Sequence, residues 1–176
     1  MVQVSDYLGV EYLEEADSAP TWPVAGRIYG FNSRVIVTLQ LAHVGWDDTA
    51  APSRAIHVHF IVDTGSPYSY ISPDVLSALD PNLQELLDAD MLWKVPDLLF
   101  LLHGHLLTKL YVSSHEKSHF PGLNILGMDF LKTARASLRV DFDPDTSHRR
   151  HHKLGPEDPV VFLHGRVRTR EASKYV

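Results

Sequence analysis

The chain contains no cysteine. That excludes disulfides, thiolate metal sites and a cysteine nucleophile. Basic residues are the minority: 16 Lys and Arg stand against 22 Asp and Glu, a net charge of −6. Such a balance does not suit a general nucleic-acid or anionic-membrane surface, so neither partner is expected. No apolar run approaches the roughly 20 residues of a membrane-spanning helix. The first twenty residues carry Asp6, Glu11, Glu14, Glu15 and Asp17 and lack the apolar core of a signal peptide. An intracellular, cytoplasmic protein is therefore expected. Glycine is missing from the whole stretch between Gly65 and Gly104, and no internal repeat is present.

What remains is a chain of 176 residues with 44% apolar content, enough for the core of one domain with tails. Residues 1–23 read as an acidic, solvated N-terminal arm. Tyr7, Leu8, Val10, Tyr12 and Leu13 are able to dock on the body, with Trp22 as the anchor. Residues 24–142 form the body. Arg27–Phe31, Ser33–His43 and Ala55–Val62 are rich in β-branched and aromatic residues and read as strands. Ser72-Pro73-Asp74 starts a short helix ending near Leu79: Ser72 suits the N-cap, Pro73 the first helical position and Asp74 the positive helix end. Leu98–Val112 reads as two strands around His103-Gly104, Met128–Ala134 as a short helix and Ser137–Phe142 as a strand. Residues 143–176 read as a polar linker followed by one last strand. Helices are few and short, so the fold class is mainly β.

The body is organised around Phe60-Ile61-Val62-Asp63-Thr64-Gly65-Ser66. An apolar strand ends on a carboxylate, a hydroxyl and a glycine. A carboxylate at the end of a buried strand is costly unless its neighbours satisfy it, which marks Asp63 as a candidate for chemistry.

Two stretches together resemble a known family. Val62-Asp63-Thr64-Gly65-Ser66 resembles the Asp-Thr/Ser-Gly active-site turn of aspartic peptidases. Ile125-Leu126-Gly127 resembles the apolar-apolar-Gly motif that packs beside that turn. The longer string Ile125–Leu131 is similar to the corresponding segment of retrovirus- and retrotransposon-type (retropepsin-like) peptidases, and Gly127 follows Asp63 by 64 residues, about the separation in such a domain. The resemblance implies a closed antiparallel β-barrel of the acid-protease type with one or two short helices. It implies an aspartic endopeptidase acting on polypeptide substrates without a cofactor or metal. Such peptidases need two carboxylates sharing one proton, and this chain has one Asp-Thr-Gly turn. The dyad then needs two chains, each giving one Asp63, in a homodimer. By the same resemblance Thr64 would hydrogen-bond across to the partner, the Gly65 N–H and Ser66 would donate to the carboxylate of Asp63, and Gly127 would leave room for the turn. A flap would cover the cleft, formed by Leu87–Asp97 or by a tip at His103-Gly104. The chain ends would supply an interface sheet, with Val160–Leu163 as the candidate.

Other readings compete. The glycine-free flap region fits an inactive retropepsin-fold dimerisation or peptide-binding module. His57 with His59, and His103 with His105, each place two imidazoles on one strand face; exposed strand histidines are the plainer reading, since a zinc site usually needs three or four convergent ligands. The basic run His148–Lys153 reads as a solvated linker. No Gly-x-Ser-x-Gly elbow supports a serine hydrolase. Gly65 stands where an aspartyl-phosphate enzyme would carry its second acid.

Overall fold

A computed structural model of the chain describes residues 2–44, 54–82, 99–104, 106–113, 122–141 and 160–165. Among these residues three short helices accompany ten strands: α1 (Val2–Leu8), β1 (Val24–Tyr29), β2 (Arg34–His43), β3 (Ile56–Val62), β4 (Tyr70–Ile71), α2 (Pro73–Leu79), β5 (Leu99–Leu102), β6 (Leu106–Lys109), β7 (Tyr111–Val112), β8 (Ile125–Leu126), α3 (Met128–Thr133), β9 (Ser137–Asp141) and β10 (Val160–His164). The protein is mainly β. No helix among the described residues is long and apolar enough to cross a membrane.

The strands form one sheet in the order β7-β4-β8-β3-β2-β1-β10-β9, with β5 and β6 branching from β2. This corrects the closed antiparallel barrel implied by the resemblance. The sheet is mixed, because β3 pairs with β8 and β4 with β7 in parallel. It is also open: β7 and β9 stand at opposite ends and do not pair. Two features keep it open. Beyond β3 the sheet continues, among the described residues, through the two-residue strands β8, β4 and β7, too short to carry the tilt and stagger of closure. On its other edge β2 is shared, with Arg34–Val37 on β1 and Leu41–His43 on β5, so the sheet splays there instead of curling around.

The core lies over β2 and β3. Leu39, Leu41, Ile56, Val58 and Phe60 are fully buried and meet Val75 and Leu76 of α2 and Phe130 of α3. Each such side chain contributes about 1.5–3 kcal/mol by leaving water. Burial runs almost continuously along β3, as expected for a strand flanked on both edges by β2 and β8. Helix α2 begins as its sequence dictates, with the Ser72 hydroxyl accepting from Val75 N and Pro73 in the first turn.

The arm behaves in two ways. Its acids are exposed, whereas Tyr12, Leu13 and Trp22 pack against the core. Backbone bonds tie it to β3: Leu13 N donates to His57 O, His57 N to Glu14 O and Ala16 N to Ala55 O. At the other end of the chain, β10 has both edges paired internally, to β1 and to β9. Among the described residues the outermost strand at that end of the sheet is β9.

Candidate active site

β3 delivers Asp63 to the end of the buried sheet. Val62 is in parallel register with Leu126, and Asp63 N donates to Leu126 O at 3.0 Å. The chain then turns tightly, with Ser66 N donating to Asp63 O at 3.2 Å. The Asp63 side chain is half-buried and accepts the Gly65 N–H on Oδ1 at 2.9 Å. The Gly65 donor anticipated from the sequence is therefore in place. Ser66 is different: its buried hydroxyl donates to Tyr68 O at 2.7 Å, not to the carboxylate. That hydroxyl stiffens the far side of the turn instead of tuning the acid. Thr64 is exposed at the tip.

Gly127 closes the back of the turn. Any Cβ there would lie 2.3 Å from Tyr68 O and 2.8 Å from Ser66 O, so only glycine admits the turn at this distance. Ile125 and Leu126 are buried beside it. The two motifs, far apart in sequence, are thus one packed unit.

A polar network missed at the sequence level locks this unit. Ser69 donates its amide to Asp129 Oδ2 at 3.0 Å and its hydroxyl to Asp129 Oδ1 at 2.6 Å. Its hydroxyl also accepts the Gly127 N–H at 2.9 Å. Asp129 Oδ1 additionally accepts from Phe130 N at the start of α3, where the helix dipole favours an acid. Nothing local announces this, because a serine in one apolar stretch and an acid in another meet only once both motifs fold. Ser69→Ala strands the buried Gly127 N–H and strips Asp129 of one donor. It is expected to cost about 2 kcal/mol, read as a shift in the urea midpoint with unchanged slope. A second hub is Asn124, buried behind Ile61. It accepts Ser72 N at 2.7 Å and donates to Tyr12 Oη at 2.9 Å and to His59 O.

An open depression beside the turn is lined by Gly65, Pro67, Met128, Asp129, Lys132 and Thr133. Tyr68, Tyr70 and Tyr111 form an aromatic shelf. The rings of Tyr68 and Tyr111 lie 5.1 Å apart, those of Tyr70 and Tyr111 5.9 Å, and the Lys109 ammonium sits over Tyr111.

Neither flap candidate stands over Asp63 among the described residues. Leu87–Asp97 lies outside them. The β5–β6 hairpin does turn at His103-Gly104, but it joins the sheet at Leu41–His43, and Leu41 pairs with Ile56 at the start of β3. That is the end remote from Asp63. Its tip packs on the arm: His103 Nε2 bonds Thr21 O at 2.9 Å, and a Cβ on Gly104 would strike the Pro20 ring.

The histidine pairs do not converge on a metal. Among the described residues no group of three or more His, Asp or Glu is placed to hold an ion; His105 and the run 148–153 lie outside them. His59 is engaged through both ring nitrogens by the hydroxyls of Ser5 and Thr38. No family model and no curated protein matches this chain.

Proposed function

We propose that the protein is an aspartic-type endopeptidase whose active site forms when two copies each contribute Asp63. The observation that carries this reading is the Asp63 turn itself. A half-buried carboxylate is held by the Gly65 amide at the end of a buried strand and seated on the backbone at Gly127. The reading rests on this site, which the openness of the sheet leaves intact, since function resides in sites and not in folds.

Two such carboxylates a few ångströms apart cannot both ionise, so the pair shares one proton and titrates as a unit. The ionised member takes a proton from a water, which attacks the scissile carbonyl. The protonated member gives its proton to that carbonyl oxygen. No cofactor enters these steps. In this reading Thr64, exposed at the tip, would bond the partner's turn, and the Tyr68–Tyr70–Tyr111 shelf would offer an apolar surface to a polypeptide.

The test is cleavage of an unstructured peptide library at pH 4–7 over a range of protein concentrations. Specific activity is expected to rise with concentration until the dimer saturates. A stable dimer that cleaves nothing would favour the inactive binding module, and a strict monomer that cleaves nothing would contradict both.

A further inference from the structure

We propose that residues 2–16 form an acid-released latch: α1 and the segment after it lie over the β3 face that leads to Asp63, and they come away when His59 takes up a proton. The contacts centre on one ring. His59 is 3% exposed. Ser5 Oγ of α1 lies 3.1 Å from its Nε2, and Thr38 Oγ1 of β2 lies 2.9 Å from its Nδ1. The Tyr12 ring covers it at 5.3 Å, and Ser5 Oγ also accepts the Tyr12 N–H. The histidine thus joins the arm to the sheet through two hydroxyls, an arrangement a neutral ring satisfies by donating from one nitrogen and accepting on the other.

A charged ring has no compensating acid in these contacts. The charged groups that act on it, His57 on the same strand and the amino terminus, both oppose its protonation. Arg34 lines the same small apolar pocket with Val4, Tyr29, Ile36 and Ile61. Burial first, then repulsion from His57 and the amino terminus, push the His59 pKa down to about 4, against the pull of a bond to the Val10 backbone. Released and hydrated, the ring would titrate near its ordinary value of about 6.5.

The sign follows. Above about pH 6.5 the ring is neutral in both forms and the latch holds at full strength. Between about 6.5 and 4 the open form binds a proton that the closed form refuses, so docking weakens nearly tenfold per pH unit, about 150-fold by pH 4, where the closed form is itself half protonated. Release uncovers Ile36 and Ile61, the latter two residues before Asp63 on the same strand face. The latch does not depend on the peptidase reading.

The test is amide hydrogen exchange on the full chain, read by NMR from about pH 7.5 to about pH 4 and corrected for intrinsic rates. Leu13 and Ala16, which bond to β3 and the residue before it, are expected to lose protection about 150-fold relative to Ile61 and Asp63. His59→Gln keeps a neutral donor and acceptor and is expected to flatten the profile. Ser5→Ala should lower protection already at neutral pH and keep the slope. A flat wild-type profile, or the full slope in His59→Gln, overturns the latch. Should His59→Gln fail to fold, the wild-type His59 ring signal decides: titration in step with loss of Leu13 protection supports the latch, and titration while Leu13 stays protected overturns it.

Discussion

Asp63→Asn is expected to abolish peptide cleavage while leaving the fold intact. The amide is isosteric with the carboxylate, and its oxygen still accepts the Gly65 N–H that now holds Asp63 Oδ1 at 2.9 Å. The backbone bonds of the turn, Asp63 N to Leu126 O and Ser66 N to Asp63 O, do not involve the side chain. Stability should therefore change by less than about 1 kcal/mol. What disappears is proton transfer. An amide neither takes a proton from water at these pH values nor shares one across a dyad, and both copies lose the function together. A fall in kcat/KM on the order of 10⁴-fold is expected, with circular dichroism and the unfolding midpoint unchanged. Equal cleavage by both proteins would remove Asp63 from the chemistry.

Gly127→Ala is expected to have a different signature, losing stability together with activity. The Gly127 backbone, at φ −93° and ψ −171°, suits any residue, so conformational strain is not the cause. The cause is steric. A Cβ would stand 2.3 Å from Tyr68 O, 2.6 Å from Tyr68 C and 2.8 Å from Ser66 O. All three are main-chain atoms that no rotamer change moves aside. Relief requires the turn to retreat by about an ångström, which breaks Met128 N to Ser66 O and Gly127 N to Ser69 Oγ. Overpacking of this kind costs about 3 kcal/mol or more. For a domain of this size that is a fall in Tm on the order of 10 °C, seen in a thermal melt. A variant as stable as the parent would show that the turn and Gly127 are not packed as described.

Parts of this architecture are legible in the sequence, and the legible parts share a cause. The start of α2 is written locally, because Ser72, Pro73 and Asp74 each satisfy a helix end without help from elsewhere. β2 and β3 are legible because their β-branched residues favour a pleated, buried strand. The contact between the Asp63 turn and Gly127 was reached through the resemblance of two motifs in order, and glycine is the one residue whose necessity a close approach explains. Less accessible was whatever depends on partners far apart. Barrel or open sheet is decided by how β2 divides its edge between β1 and β5, and no local pattern encodes that division. Ser69 with Asp129, and Tyr12 with Asn124, are polar pairs separated by 60 and 112 residues; each residue read alone is an ordinary polar side chain. The arm illustrates both cases. Its exposed acids follow from composition, whereas its hold on His59 rests on a serine that the sequence does not distinguish from any other.

The claim that one site takes an Asp63 from each of two chains is tested most directly by mixing. Asp63→Asn chain is added to a fixed amount of wild type, the subunits are allowed to exchange, and peptide cleavage is followed. If every active site needs two intact copies, a ninefold excess of the variant should reduce activity to about one tenth, because nearly every wild-type chain then sits opposite a chain without the acid. Activity that stays constant as the variant is added, or wild type that cleaves nothing from pH 4 to 7 at any concentration, would contradict the account.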